Sequence, residues 1–556
     1  MDALRKFDNL IRVKGESDVR KVSRWMSPDI LPVLPENRTF RSKDYVAYWS
    51  AGAICASFWS MGGTAIANGL NAGEAIGALL IGSVICAIVA HYCGAAGLKY
   101  HLGFPMLNRA AFGLYGSYFG VFVQCFVVFI YCGIQTYWGG LAVHVMLAAI
   151  FPSFHHMKNT IPSSSNITTQ DLIGTILFFL VFLGVLLVPP YKMYNFFRVS
   201  FCAVVTTILG MFIWAMAANH GAGNLVEPAK KLSKAETFFV FLQTISILCG
   251  SFTGQSVRHS DWSRYAKTKS APWAGIWLCC PIALTTCAMF GVFVTSAVRH
   301  MYGEIIWQPI TLLLHIQDTD YSPGARAGTF FGGMGWFLSQ LAINVSSNSV
   351  AAGMDLTAIL PRYLNARRGG WLLACIGIVI CPWNFVNSAG TFTVVLSSFG
   401  IFVSPLTGIV IADYWVVRKT NWKVGDLYVG NNTGIYWYTA GLNPRAFAAW
   451  VGIIWLSIPG FAAAINGTSY GISWDRMMQI SFFIGLVGGF TFYCIFCKIW
   501  PVKGAREFED IDWAVHGSVV MNGSEVEGDE QKRSVNSGSA GKMAPQEVVS
   551  SDVSKV

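Results

Sequence analysis

Two amide side chains, Gln135 and Asn348, lie inside long apolar stretches of this sequence. An amide in hydrocarbon is costly unless it faces the interior of a helix bundle and finds a partner there. One such amide usually joins two helices, whereas two amides in segments five helices apart favour a bound ligand. Because an amide offers a donor beside an acceptor, it fits the edge of a planar ring such as uracil or a hydantoin. The two residues therefore predict a site for a polar ring.

Aromatic side chains near the amides could stack on that ring. Tyr131 lies one helical turn before Gln135 and on the same face. Phe252 and Trp59 are further candidates, although any one of them could serve only to pack helices. The predicted substrate-binding residues are Tyr131, Gln135, Phe252, Asn348, Trp59 and Ser60.

Glycines in the same segments predict interruptions of two helices. Gly62 and Gly63 lie in the first apolar segment, and Gly250 and Gly254 flank Phe252. Secondary transporters often bind their substrate at mid-membrane, where the broken helices of two inverted repeats meet. The alternative is that these glycines are ordinary, because glycine is frequent in transmembrane helices.

The composition requires a lipid bilayer. Of the 556 residues, 54% are hydrophobic and 12% are charged, whereas soluble proteins carry about 25% charged residues. Apolar runs of about 20 residues, long enough to span a bilayer, recur between residues 45 and 500. The fourteen cysteines lack the spacing of a metal site or a disulfide framework. We expect an all-α polytopic membrane protein with twelve transmembrane helices, no metal, no cofactor and no nucleic-acid partner.

The chain divides by composition and charge. Basic links recur on one side of the predicted helices, which places both termini in the cytoplasm, and we expect the plasma membrane.

Helix one is expected over about 45–70 and helix eight over about 325–352, with a short surface helix in the outside loop 299–323. The predicted divisions are a cytoplasmic arm (1–43), a ten-helix core (44–416) with inverted repeats of about 44–219 and 236–416, a cytoplasmic loop (417–445), helices eleven and twelve (446–500) and a disordered cytoplasmic tail (501–556).

Several short motifs carry a resemblance to a known family. They are Gly353-Met354-Asp355-Leu356, expected as a charged loop, Pro382-Trp383-Asn384-Phe385, Ala412-Asp413-Tyr414 closing on Arg418-Lys419, Ser260-Asp261-Trp262-Ser263-Arg264-Tyr265, and Gly324-Ala325-Arg326-Ala327-Gly328. Together with the amides, they resemble the nucleobase–cation symporter-1 family over about residues 28–500. The resemblance points to the fungal branch of uracil, uridine, allantoin, thiamine and nicotinamide riboside permeases.

The resemblance implies a leucine-transporter-like fold, with two inverted five-helix repeats followed by two further helices. It also implies that the ligand lies among Tyr131, Gln135, Phe252 and Asn348, where a tyrosine replaces the family's usual tryptophan. Sodium-dependent members coordinate the ion with hydroxyls of helix eight. The positions matched here hold Ala342 and Ile343, so the resemblance implies a proton rather than sodium.

The inner end of predicted helix six, expected over about 236–257, offers candidates for the proton path. Arg258, His259 and Asp261 follow one another closely there. The alternative reading is that they are ordinary cytoplasmic charge with a local ion pair.

Three functions remain open at this stage. The first is proton-coupled uptake of a nucleobase-type ring (uracil, uridine or allantoin) by a secondary active transporter that works by alternating access. The second is uptake of thiamine or nicotinamide riboside, although a cation at mid-membrane has to be stabilised by a carboxylate or an aromatic cage. The third, a membrane-embedded acyltransferase, depends only on the segment from His315 to Asp320, so we expect that the protein is not an enzyme.

The tail beyond residue 500 lacks the hydrophobic residues needed to pack on the bundle. It carries Lys532, Lys542 and Lys555, which a ubiquitin ligase could reach. The alternative is an inert solubilising tail.

Overall fold

A computed structural model describes residue 25 and residues 30–188, 193–360 and 363–507 of the chain. Within these residues the secondary structure is helical, and the only extended pairings are two isolated bridges, Phe40 with Ala266 and Thr439 with Leu442. The tail lysines 532, 542 and 555 lie outside the described residues.

The helices follow one another with short connections. The first group is α1 (Ser42–Ala53), α2 (Ala56–Ala67), α3 (Ala72–Tyr100), α4 (Phe104–Phe112), α5 (Gly116–Ile150), α6 (Pro152–His155), α7 (Thr169–Val185) and α8 (Tyr194–Ala218). The second is α9 (Lys234–Val257), α10 (His259–Ser263), α11 (Cys280–Tyr302), α12 (Pro309–Thr319), α13 (Pro323–Ile343), α14 (Ala351–Ile359), α15 (Ala366–Val379) and α16 (Ala389–Ile411). The third is α17 (Pro444–Ile454), α18 (Ile458–Ile465), α19 (Ile472–Gln479) and α20 (Ser481–Ile499).

Eight helical segments in the described part of the chain are long and apolar enough to cross a membrane, and α17 with α18, bent by 50°, would make a ninth. The protein is therefore an all-α polytopic membrane protein. Three predicted helices are absent from this set: one, eight and nine, of which nine was expected over about 370–387. Helix one is broken, helix eight changes its winding partway, and helix nine is only the 14-residue α15.

Helix one breaks earlier than its glycines predict. The chain leaves the helical conformation at Ile54 and Cys55, between α1 and α2. The prediction of a break at Gly62 and Gly63 is wrong, because both lie inside the continuous α2. The reason for glycine there is close packing, since a Cβ at Gly63 would lie 2.6 Å from the carbonyl oxygen of Trp307.

Helix six is also continuous where a break was expected. Gly250 and Gly254 lie within α9, which runs unbroken to Val257. A Cβ at Gly250 would lie 2.8 Å from the backbone nitrogen of Gly400 on α16, so this glycine permits close approach of two helices. The interruption comes at Arg258, before the short α10.

Helix eight extends beyond its predicted end at residue 352. After α13 the chain winds as a π-helix over Asn344–Val350 and continues as α14 to Ile359. We call Asn344–Val350 the π segment. The expectation of a charged loop at residues 353–356 is wrong, because these residues lie within α14, and Asp355 is fully buried. Wide turns of this kind occur often at functional sites.

The connection 299–323 contains a helix, as predicted, but that helix is not a surface one. One face of α12 is buried, and it includes Ile310, Leu313 and Gln317. Gln317 Nε2 donates to the carbonyl oxygen of Val145 at 3.0 Å, so α12 is bonded to α5. The buried face therefore packs α12 against the bundle.

The last helices are tied to the bundle by a buried ion pair, Asp413 with Arg418, which we call the anchor pair. Arg418 Nε lies 3.0 Å from Asp413 Oδ2, and neither side chain is more than 1% exposed. Tyr493 of α20 donates its hydroxyl to Asp413 Oδ1 at 2.8 Å. Arg418 also donates to the Tyr438 hydroxyl, and its guanidinium lies 4.4 Å from the ring centroid of Tyr436.

Candidate functional site

A small cavity of about 80 Å³ lies where the break in helix one meets α5, α9 and the π segment. Its wall includes both predicted amides. The lining side chains used below are Tyr48, Ser57, Phe58, Tyr131, Gln135, Ser251, Phe252, Gln255, Arg258, Trp262, Ile343, Ser346, Ser347 and Asn348.

The amide of Gln135 reaches the cavity from α5. It is 2% exposed, and its Nε2 donates to Ser57 Oγ, 2.9 Å away on α2. Its Oε1 has no hydrogen-bond partner among the described residues. A buried acceptor left open in this way costs free energy unless a ligand or water satisfies it.

The amide of Asn348 reaches the cavity from the π segment. It is 7% exposed, and its Nδ2 donates to Asn344 Oδ1 at 2.8 Å. Its Oδ1 is then the polar atom that it retains for a ligand. Gln135 and Asn348 thus present oxygen acceptors to one cavity from two different helices.

Aromatic rings form most of the remaining wall. The Tyr131 ring lies 5.0 Å from that of Phe399, and the Tyr131 hydroxyl lies beside Ser251. Phe252 is held edge to face by Phe58, with ring centroids 5.4 Å apart. These contacts fix the rings as rigid faces on which a planar ligand could stack.

A second aromatic pair lies at the α10 side of the cavity. The rings of Tyr48 and Trp262 have centroids 4.6 Å apart. Gln255 lies on the same wall, and its Nε2 has no hydrogen-bond partner in the described part of the chain. Sequence reasoning missed all three residues, because nothing in the local pattern brings α1 and α10 to one place.

Trp59 and Ser60 do not line the cavity. Trp59 packs edge to face on Trp336, with centroids 6.0 Å apart, and Ser60 is fully buried elsewhere in α2. With the break at residues 54 and 55, the first turn of α2 turns Ser57 and Phe58 toward the cavity instead. The structure therefore does not bring Trp59 and Ser60 to the cavity that the amides line.

An ion pair closes the cavity at the end of α9, and we call it the cavity pair. Arg258 lines the cavity, and its Nη2 lies 2.7 Å from Asp355 Oδ2. Asp355 Oδ1 and Arg258 Nε have no hydrogen-bond partner among the described residues. Sequence reasoning missed Asp355, although it follows Asn348 by seven residues, the spacing of two helical turns on one face.

The other two proton-path candidates face away from the cavity. The buried His259 ring packs against Trp49, with centroids 5.2 Å apart. Asp261 accepts a hydrogen bond from the backbone nitrogen of Phe104 at 2.7 Å. Of Arg258, His259 and Asp261, only Arg258 lines the cavity.

Residues that could hold an ion are few. Within the described ranges, no three His, Cys, Asp or Glu side chains gather as a metal site. Ile343 presents an apolar side chain to the cavity, but Ser346 and Ser347, which sequence reasoning did not select, bring hydroxyls to the same wall. The Ser346 hydroxyl donates to the Ala342 carbonyl at 2.8 Å.

The histidine of the acyltransferase segment is not paired with either aspartate of that segment among the described residues. His315 packs on Tyr302, with ring centroids 4.6 Å apart, while Asp320 accepts from the backbone nitrogen of Ser322. Asp318 lies 3.9 Å from His155 instead, so His315 is not held by a carboxylate as a general base would be.

Comparison with known proteins gives consistent results. Residues 32–485 match the family model described as permease for cytosine/purines, uracil, thiamine, allantoin. The chain is 32% identical over 501 residues to the thiamine transporter of Saccharomyces cerevisiae, which covers 89% of this chain and 83% of the relative. It is 30% identical over 486 residues to the uracil permease of the same yeast, covering 86% of this chain and 76% of the relative.

The fold has a counterpart among solved structures. The inward-facing conformation of Mhp1 superposes with a TM-score of 0.69 at 17% sequence identity, covering 90% of this chain and 99% of that one. At this identity the likeness concerns the fold alone.

Proposed function

Because the chain belongs to the nucleobase–cation symporter-1 family of membrane transporters, we propose that it carries a nucleobase-type ring across the plasma membrane together with a proton. The substrate class is uracil, uridine or allantoin, and the mechanism is alternating access. The observation that carries the proposal is the meeting of Gln135 and Asn348, from two helices, in one cavity walled by Tyr131 and Phe252.

The chemistry of the wall supports a planar polar ligand. Rigid rings favour stacking, and the open oxygens of the two amides favour ring N–H groups at the ligand's edge. The broken helix one and the π segment leave backbone and side-chain polar groups free to face the site, which is the arrangement that transporters use at mid-membrane.

We infer that the cavity pair couples transport to the proton. Protonating Asp355 would remove its charge and release Arg258, which forms part of the cavity wall. The pair connects the end of α9 to α14, so its breaking would free one end of the cavity. The membrane potential supplies about 2.3 kcal/mol per charge per 100 mV, enough for about 50-fold accumulation.

The test is uptake of radiolabelled uracil, uridine, allantoin and thiamine in cells that lack their own permeases. We expect uptake of one ring-type substrate that rises between pH 7 and pH 5, persists without sodium and collapses with a protonophore. Strict sodium dependence at constant pH would contradict proton coupling, and the hydroxyls of Ser346 and Ser347 would then be the first ligands to examine.

Site variants connect that uptake to the cavity. Gln135→Ala and Asn348→Ala each remove one acceptor, a loss of about 1–3 kcal/mol or about 5- to 150-fold in affinity. Trp59→Phe serves as a control, because Trp59 is buried away from the cavity. Normal surface levels with unchanged affinity in both alanine variants would defeat the site assignment.

A second candidate is uptake of the cationic thiamine or nicotinamide riboside. The observation that favours it is the aromatic wall of Tyr48, Phe58, Tyr131, Phe252 and Trp262, since aromatic faces attract a desolvated cation. Asp355 also places a carboxylate beside the cavity. Inhibition of labelled uptake by thiamine but not by uracil would favour this candidate.

The tail is a separate proposal. We propose that a ubiquitin ligase acts on Lys532, Lys542 and Lys555 and so limits the time that the protein spends at the surface. Deleting residues 520–556 should leave the initial rate of uptake unchanged and lengthen surface half-life. An unchanged half-life, under conditions that internalise the full-length protein, would favour the inert tail.

A further inference from the structure

Three hydrogen bonds in series connect the backbone of α5 to the amide of Asn348. The Thr136 hydroxyl donates to the Cys132 carbonyl oxygen at 2.7 Å. Asn344 Nδ2 donates to Thr136 Oγ1 at 3.1 Å, and Asn348 Nδ2 donates to Asn344 Oδ1 at 2.8 Å. Only the last residue of this series, Asn348, lines the cavity.

The direction of each bond follows from the one before it. A carbonyl oxygen cannot donate, so the Thr136 hydroxyl gives its only hydrogen to Cys132 and its oxygen can only accept from Asn344. That contact must therefore be the NH₂ group of Asn344, which turns the Asn344 carbonyl toward Asn348. Asn348 must then offer its own NH₂ group to Asn344. Its carbonyl oxygen is left for the cavity.

Burial preserves this direction. Asn344 is 0% exposed and Thr136 is 1% exposed, so solvent cannot easily replace a bond that an amide flip would break. Turning Asn348 over would set its carbonyl against the carbonyl of Asn344. Turning both amides over would place the Asn344 carbonyl against Thr136. The Thr136 hydroxyl would then have to donate to Asn344 and would lose its bond to Cys132. Within a buried polar chain each bond holds its neighbours in place.

Gln135 is held differently. Its only hydrogen-bond partner in the described residues is the hydroxyl of Ser57, and a hydroxyl can donate or accept. The amide of Gln135 can therefore face the ligand with either group. The two amides that line the cavity differ in how firmly their orientation is set.

We propose that Thr136 and Asn344 are positioning residues that hold Asn348 with Oδ1 toward the cavity, so that the substrate must present an N–H or O–H donor to helix eight. The inference rests on the proposed function, because it assigns Asn348 to the substrate site. A ligand with that donor replaced by a methyl group or a carbonyl oxygen would leave Oδ1 unpaired. Its affinity should fall about 10- to 100-fold.

The test uses Thr136→Val and Asn344→Leu, which remove the series, with Thr136→Ser as the matched control that keeps the hydroxyl. The probes are inhibition of uptake by uracil against 1-methyluracil and 3-methyluracil, and by thiamine against oxythiamine, in which a carbonyl replaces the amino group. In the wild type and in Thr136→Ser we expect about 10- to 100-fold discrimination between probe and analogue. In Thr136→Val and Asn344→Leu the ratio between the inhibition constants of the analogue and its parent compound should fall to about one.

Two further measurements separate this inference from the proposed function. If Asn348→Ala abolishes uptake while Thr136→Val and Asn344→Leu keep full discrimination, the positioning role is overturned and the function stands. If no probe is carried by the wild type, the proposed function fails. In that case the positioning role is tested on the purified, ligand-free protein by a double-mutant cycle of Thr136→Val and Asn348→Ala, measured by thermal unfolding. Non-additive losses of stability support the hydrogen-bond series, and additive losses overturn it.

Discussion

Two buried Arg–Asp pairs within the described residues, the anchor pair and the cavity pair, are built differently. In the anchor pair, Asp413 accepts from Tyr493 as well as from Arg418, and Arg418 also donates to Tyr438. In the cavity pair, Arg258 and Asp355 meet at 2.7 Å, yet Asp355 Oδ1 has no partner among the described residues. The first pair is enclosed by protein, whereas the second adjoins a cavity.

This difference suggests what each pair does. A buried charge is tolerated when further hydrogen bonds satisfy it, and breaking such a pair is strongly destabilising. The anchor pair comes closer to that description, because Arg418 Nη1 is its one atom without a partner among the described residues, and it joins the turn after α16 (Ala412–Val417), the loop beyond that turn and α20. The cavity pair leaves polar atoms open beside a space that water or substrate can enter, so separating its partners costs less. We infer that one pair holds the fold and the other moves during transport.

Arg418→Met should have the largest effect. It leaves Asp413 charged and buried without its partner, which costs about 3–5 kcal/mol. We expect little folded protein, measured as the monodisperse fraction on size-exclusion chromatography in detergent. Arg258→Met is the control and should retain most of that fraction. Equal losses in the two variants would remove the distinction between the pairs.

Asp355→Asn should separate function from folding. Removing this carboxylate leaves Arg258 beside the cavity, where water can solvate it, so the protein should fold. Uptake driven by a pH gradient should fall at least about tenfold, because most of the roughly 50-fold accumulation depends on the titrating group. Its dependence on external pH should flatten, measured as initial rates from pH 5 to pH 7. A wild-type pH profile in this variant would exclude Asp355 as the coupling residue.

Lysine substitutions sharpen the comparison. Arg418→Lys loses the planar group that bonds Asp413 and Tyr438 together and lies over Tyr436, so we expect a loss of about 1–3 kcal/mol. Arg258→Lys keeps a single charge opposite Asp355, and uptake should largely survive. The measurements are thermal unfolding for the first variant and uptake for the second. Loss of uptake in Arg258→Lys, with unchanged thermal unfolding of Arg418→Lys, would show that the cavity pair depends on guanidinium geometry.

The smallest effect is expected at a half-exposed pair, His155 with Asp318, where Nε2 and Oδ1 lie 3.9 Å apart and the side chains are 13% and 70% exposed. Asp318→Asn should cost less than about 1 kcal/mol. Burial lowers the pKa of His155 from its ordinary value, and Asp318 opposes that shift. Since the folded state resists protonation, stability should decline as pH falls below about 6.5. The decline should be steeper in Asp318→Asn, measured by thermal unfolding at pH 7 and pH 5.

The sequence predicts the site unevenly. Gln135, Tyr131, Phe252 and Asn348 meet as predicted because polar or aromatic character inside an apolar helix is visible in one segment. Trp59 and Ser60 do not join them at the cavity, because the register of α2 depends on a break at Ile54 and Cys55, neither of which is a glycine.

Asp355 was missed for a related reason. The sequence Gly353-Met354-Asp355-Leu356 looks like a polar loop until Arg258, nearly a hundred residues earlier, is seen to pair with it. A contact between residues so far apart in the sequence leaves no pattern in the residues around either of them. The same holds for Tyr48 and Trp262, which only the folding of α1 against α10 brings to the cavity.

The π segment also sets a length constraint on the chain. An ordinary helix turns about 100° per residue, so the number of residues between Asn348 and Asp355 fixes how far apart around the axis these two side chains point. A π-helix holds more residues per turn than an α-helix, so deleting one residue from Asn344–Val350 would restore ordinary winding and leave the two halves of the helix close to their present relative rotation. Inserting a residue in the α-helical part between Val350 and Asp355 would instead turn the carboxylate by about 100° away from Arg258. A deletion within the π segment should therefore change the hydrogen bond between Asn344 and Asn348 more than the pairing of Asp355 with Arg258.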